Sequence, residues 1–208
     1  MPDYLKSRII EKQTLEDVEL VLTDKENNYL GPELVLKRCR LTLRTTARCL
    51  HIVNNVQVID CHIEVKKKLA NFQSWLAAAV TGCTFTGHLV GHSFGHWPEY
   101  GVYCENGSIE NCDFSGTFLD GCRFMGCDIG SIKLPKWPCF AILHPHKQRR
   151  EIESVEWPGK LRFWAVDLPN QPEITAGIVG YAPTLTKQLG CTEEELREAL
   201  TRLGNVLM

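Results

Sequence analysis

The sequence lacks the short motifs that announce common chemistries. It has no Cys-x-x-Cys, no phosphate-binding Gly-x-x-x-x-Gly-Lys and no His-Glu-x-x-His. Redox dithiols, P-loop nucleotidases and zinc proteases therefore leave no signature. Long apolar runs are missing too: the longest weakly polar stretch, Trp75 to Val80, is far too short to span a bilayer. The opening Met1-Pro2-Asp3-Tyr4-Leu5-Lys6 carries no basic stretch followed by an apolar one. The expectation is a cytoplasmic chain with no membrane association. Excess charge of one sign is absent as well: the formal net charge is −2, which argues against nucleic acid as a partner.

What is present is unevenly distributed. Residues 1–36 carry four basic and eight acidic side chains, whereas residues 37–68 carry eight basic and two acidic. Such asymmetry can mark a partner surface. The hydrophobic share of 44% is enough to build a core in 208 residues. Ten cysteines in a reducing compartment are expected as free thiols, so their spacing needs another explanation.

A repeat supplies it. Shifted by 22 residues the chain overlays itself: Leu34, Leu36, Cys39, Leu41 and Leu43 fall on Val56, Val58, Cys61, Ile63 and Val65, then on Ala78, Val80, Cys83, Phe85 and Gly87. A second set agrees: Leu50, Phe72 and Phe94, with Val53, Trp75 and Trp97. Tyr100 and Val102 continue the first two columns on this reading. Alternation of apolar and other residues marks strands with one buried face, and a 22-residue period is too short for a βαβ unit. The pattern predicts a right-handed parallel β-helix whose coils stack about 4.8 Å apart, with Cys39, Cys61 and Cys83 in one inward ladder. Cysteine suits that cramped position because it is a small, commonly buried apolar residue.

From Cys112 the unit contracts to five: CDFSG, TFLDG, CRFMG, CDIGS. Phe114, Leu119, Phe124 and Ile129 share one position, and Cys112, Thr117, Cys122 and Cys127 the position two before it. These blocks resemble the pentapeptide-repeat family, clearly so over about residues 102–139. The resemblance implies a square β-helical coil with both sets pointing inward, extended by Val102/Cys104, Gly107/Ile109, Ile132/Leu134 and Trp137/Cys139. Some members mimic a DNA duplex in shape and negative charge. The basic residues on these coils make such mimicry an unfavourable expectation here.

The predicted organisation is an N-terminal strand and cap over 1–33, the β-helix over 34–146, and a C-terminal α/β capping segment over 147–208. Within the last, Leu161–Val166 reads as a strand. A terminal helix begins at a Thr192/Glu195 capping box and carries a Leu196, Ala199, Leu200, Leu203 stripe.

Two functional readings follow. The first is a non-enzymatic protein-binding solenoid, a form that would suit a bacterial immunity protein neutralising a cognate toxin domain, with no cofactor or metal. Its partner-binding residues would be a basic column (Arg44, Lys66, Lys67, Lys68) beside an irregular aromatic loop (Trp97, Glu99, Tyr100, Tyr103). Cys112 follows Cys83 by 29 residues, seven more than the period, so an insertion near His96 places that loop outside the coil. The alternative is a small β-helix enzyme, metal-dependent or carbohydrate-active. Gly87-His88, Gly91-His92 and Gly95-His96 recur every four residues; three imidazoles could hold a zinc ion, with Glu99 as base. The same histidines also fit corner and surface positions of a β-helix, where they would point in different directions.

Overall fold

A computed structural model describes residues 6–208. The chain forms a β-solenoid of about four turns. Its first coil runs through β1 (Lys6–Ile10), β2 (Gln13–Glu16) and β3 (Glu19–Thr23), its second through β4 (Glu26–Leu30), β5 (Leu34–Lys37) and β6 (Arg40–Arg44). The third comprises β7 (Leu50–Ile52), β8 (Val56–Ile59) and β9 (His62–Ala70). After a 3-10 turn at Ser74–Ala77 come β10 (Ala78–Thr81), β11 (Thr84–Val90) and β12 (Ser93–Gly95), then β13 (Ser108–Glu110), β14 (Thr117–Asp120) and β15 (Cys122–Met125). Parallel pairing stacks these strands into three faces: β1-β4-β7 (face A), β2-β5-β8-β10-β13 (face B) and β3-β6-β9-β11-β14 (face C), while β12 and β15 pair with each other beyond the Ser74–Ala77 turn and continue the side of face A as a separate sheet. The coils begin at Lys6, and residues 6–23 form a first coil within the segment read as an N-terminal strand and cap.

The register is that of the 22-residue repeat. Leu34 lies beside Val56 and Val56 beside Ala78; Leu36 pairs with Val58 and Val58 with Val80; Leu41 pairs with Ile63 and Ile63 with Phe85. All are buried. Between faces B and C the chain turns at one residue with positive φ per coil: Asp17, Arg38, Asp60, Gly82 and Asn111. Each turn donates its amide to the coil above, as Arg38 does to Ile59 O at 2.9 Å. The next residue points inward, and this is the column of Cys39, Cys61, Cys83 and Cys112, all buried. All ten cysteines are free thiols.

In the fourth coil Gly87 takes φ +102° in the column of Leu43, Val65 and Thr117. A Cβ there would stand 2.1 Å from Val65 O. Face C bends at this point, and the five-residue blocks follow the bend: Asp113 bridges to Thr84, β14 to the far half of β11, and β15 to β12. Phe114, Leu119 and Phe124, with Cys112, Thr117 and Cys122, are buried; Cys127 and Ile129 are half-buried. Phe85, Phe94, Phe114 and Phe124 pack ring against ring, with centroids 4.4–5.6 Å apart.

Tyr100 and Val102 do not continue the repeat columns. Both leave the coil with the insertion, and Ser108 and Ile109 pair with Ala79 and Val80 instead. Val102 is thereby also lost from the backward extension of the five-residue register.

Beyond the solenoid the chain returns to cover it. Strands β16 (Cys139–Leu143) and β17 (Thr175–Tyr181) are antiparallel to each other, and β17 lies antiparallel along the edge of β15, with β18 (Val206–Leu207) outermost. An open edge that would invite pairing with another chain is thus occupied. Helices α1 (Arg149–Ser154), α2 (Leu161–Asp167), α3 (Ala182–Leu189) and α4 (Glu193–Thr201) pack on β16 around Phe140, Ile142, Leu161, Leu196 and Leu200. The Thr192/Glu195 capping box is formed, and the whole predicted α4 stripe is buried. Leu161–Val166 is helical, not a strand. Leu161, Ala165 and Leu168 are buried at spacings of four and three, while Phe163 and Val166 face outward; helical periodicity overrides the short apolar run. Among the described residues no helix is long and apolar enough to cross a membrane.

Candidate functional site

The Gly-His run does not assemble a metal centre. His88 is exposed on face C, its ring stacked on Phe118 at 4.2 Å. His92 is fully buried where the chain enters face A, among Phe72 and Phe94. Its Nε2 donates to Leu69 O at 3.0 Å, leaving Nδ1 without a partner. Burial pushes its pKa down to about 4. His96 is exposed, and its Nδ1 donates to Gly107 O at 3.3 Å, closing the base of the insertion. Glu99 is exposed on that insertion. Among the described residues no three His, Cys, Asp or Glu side chains gather to hold a metal ion. Glycine at alternate corners turned the chain between each pair, so a spacing of four that aligns side chains on a helix disperses them here.

The basic column is also rearranged. Val65 pairs with Gly87 and Leu69 with Leu89, so three residues of β9 oppose the single His88. Lys66, Lys67 and Lys68 form a bulge, and the expected stack of like charges does not exist. Lys66 pairs with Glu64. Lys67 reaches back to Asp24, which also accepts from the Thr46 amide at 2.7 Å and the Thr45 hydroxyl at 3.0 Å. Asp24 is held below the usual carboxylate range by these donors, against the opposing effect of burial. Lys68 faces Asp120, whose carboxyl is raised chiefly by burial near Tyr181 and Thr184. Arg44 is exposed. Lys67 thus ties its coil to an earlier one, while Lys66 pairs within its own strand.

The insertion between β12 and β13 is the more prominent surface feature. It leaves face A at His96, makes a 3-10 turn at Pro98–Tyr100, and re-enters face B at Gly107. Two side chains anchor it: Cys104 is buried against Leu76 and Met125, and Trp97 packs on the same cluster beside Ile174. Asn106 Nδ2 donates to Asn55 Oδ1 at 2.7 Å, tying the loop to the corner of the coil below. Between the anchors the tip turns outward. Tyr100, Val102 and Tyr103 are 46%, 84% and 56% exposed. Trp97 lies 5.0 Å from the Tyr100 ring and 5.0 Å from the Arg123 guanidinium.

Trp97, Glu99, Tyr100 and Tyr103 are therefore brought together, but Lys66–Lys68 are not beside them. The lysine bulge precedes face A, the loop follows it, and the two stand at different corners. Sequence reading missed Arg123 and Val102 as members of the loop surface. Arg123 sits inside a five-residue block whose outward positions carry no periodic signal, and Val102 happened to fit a repeat column. No family model matches this chain, and neither a curated protein nor a solved structure does.

Proposed function

We propose that this chain is a non-catalytic solenoid that binds another protein through the loop of residues 96–107, and so neutralises or scaffolds it. A toxin domain held by an immunity protein is the case this reading has in view. The observation that carries it is the exposure of Tyr100, Val102 and Tyr103 on a loop fixed at both ends. Large apolar side chains at a rigid, projecting position are the usual anchors of a protein interface, and grouped apolar exposure on a folded chain marks an interaction site. The dispersal of His88, His92 and His96 supports this reading over the enzymatic one.

Two narrower readings accompany it. The five-residue blocks from Cys112 support kinship of the last coil with pentapeptide-repeat proteins, and the ten free thiols support residence in a reducing cytoplasm. The test of the function is affinity capture from the native host with the wild type and with a Tyr100→Ala/Tyr103→Ala variant. A discrete partner retained by the first and lost by the second is the expected result, with Lys66→Glu having little effect because Lys66 already pairs with Glu64. A partner that ignores the tyrosine pair, or none at all, would overturn the proposal.

A further inference from the structure

Arg123 projects from the outward column of face A, between Ser93 and Ile178 on the neighbouring strands. It is half-buried. Its Nε donates to Ser93 Oγ at 3.2 Å, and its guanidinium lies over the Trp97 ring. Among the described residues the four Nη protons have no acceptor. More exposed cations do better: Arg38 meets Glu16 and Asp17, Arg40 meets Glu64, and Lys67 meets Asp24. Among the described residues no carboxylate comes within ion-pair distance of Arg123. Glu99 and Glu105 stand on the adjoining loop, yet both remain exposed and apart from it. Burial also lowers the pKa of Arg123, with Tyr100 acting in the opposite direction.

A guanidinium fixed through Nε and one ring face presents its remaining donors as a planar fork, which matches a carboxylate in bidentate geometry. We infer that the partner inserts a carboxylate onto Arg123, walled by Trp97 and Tyr100, while Val102 and Tyr103 carry the apolar contact around it. The inference rests on the reading of the loop as the docking surface and specifies the chemistry that surface accepts. A nucleic-acid backbone fits less well, because it needs several cations in a row, and the adjoining loop carries the acids Glu99 and Glu105.

A random-peptide library displayed on phage and selected on the full chain tests it. Enriched peptides are expected to share an Asp or Glu beside an apolar residue. Their affinity should fall about tenfold or more on Arg123→Gln, fall partly on Arg123→Lys, which keeps charge but not the fork, and stay unchanged on Lys67→Ala. Thermal melts of each variant establish that it is folded. Peptides that require Tyr103 yet lack an acid and bind Arg123→Gln like wild type would overturn the carboxylate inference and leave the loop as the docking surface. Peptides indifferent to both Tyr103→Ala and Arg123→Gln, or no enrichment, would overturn both. A single-stranded oligonucleotide bound more tightly than any selected peptide would likewise overturn the carboxylate assignment.

Discussion

The backbone amide of Cys61 donates to the sulfur of Cys83 at 3.3 Å, and the amide of Cys39 donates to Cys61 in the same way. Each thiol in turn points at backbone carbonyls of its own and the preceding coil, as Cys83 does at Thr81 O and Val58 O. A corner amide that the strand ladders leave over thus finds an acceptor inside the core, and the small side chain fills the space beside it. Cys83→Ala removes both roles. The expected cost is about 1–3 kcal/mol, from lost packing and an unsatisfied buried amide. Urea unfolding of the variant checks this; an unchanged midpoint would remove the thiol ladder from the account.

Thiol reactivity should follow the same geometry. All ten cysteines should react with a thiol reagent after denaturation without reductant. In the native protein Cys191 and Cys127 should label first, since the other eight are buried. Cys127 should lag behind Cys191 near neutral pH, because burial pushes its pKa up to about 12 and the thiolate is the reactive form. Peptide mapping of timed alkylation reads the order. Early labelling of Cys61 or Cys83 would contradict the packing described.

His92 gives a pH signature with a definite sign. Its folded pKa of about 4 lies below the ordinary value of 6.5, so between those values the unfolded chain binds the proton and the folded chain does not. Stability is then fully present above pH 6.5 and is lost as pH falls towards 4, by roughly 3 kcal/mol. His92→Gln should flatten the stability profile across that window. Carboxylates such as Asp24, whose folded pKa is depressed, lose their contribution at lower pH and do not mimic the effect. A wild-type profile that is level from pH 6.5 to 4 would contradict the buried neutral imidazole.

The solenoid was largely legible in the sequence because its coils obey two strict rules. Inward positions alternate, and corners recur, so Leu34/Val56/Ala78 and Cys39/Cys61/Cys83 fall into register by counting alone. Counting failed wherever a coil departs from the period. The bulge at Lys66–Lys68 shifts the register by two residues, turning an expected charge column into separate clamps. The helix at 161–167 carries only seven residues, too few for its periodicity to outweigh a strand-like run. The loop was found by its excess length, but Arg123 joins it only through three-dimensional closure of face A over the Trp97 turn.

The clamp at Asp24 separates a structural lysine from a binding one. Lys67→Ala should cost only about 0.2–1 kcal/mol, as befits an exposed ion pair. Asp24→Ala should cost more, about 1–2 kcal/mol, since it also strands the Thr46 amide and removes an acceptor of the Thr45 hydroxyl. Equal losses in denaturant titrations would mean that the threonine contacts contribute nothing.

The central claim is that the tip of the 96–107 loop meets a protein. A photo-crosslinking amino acid placed at position 103, with the same residue at exposed position 57 of face B as control, tests it in the native host. One discrete protein adduct at 103, absent at 57, is the predicted result. No adduct at 103, or the same products from both positions, would contradict it.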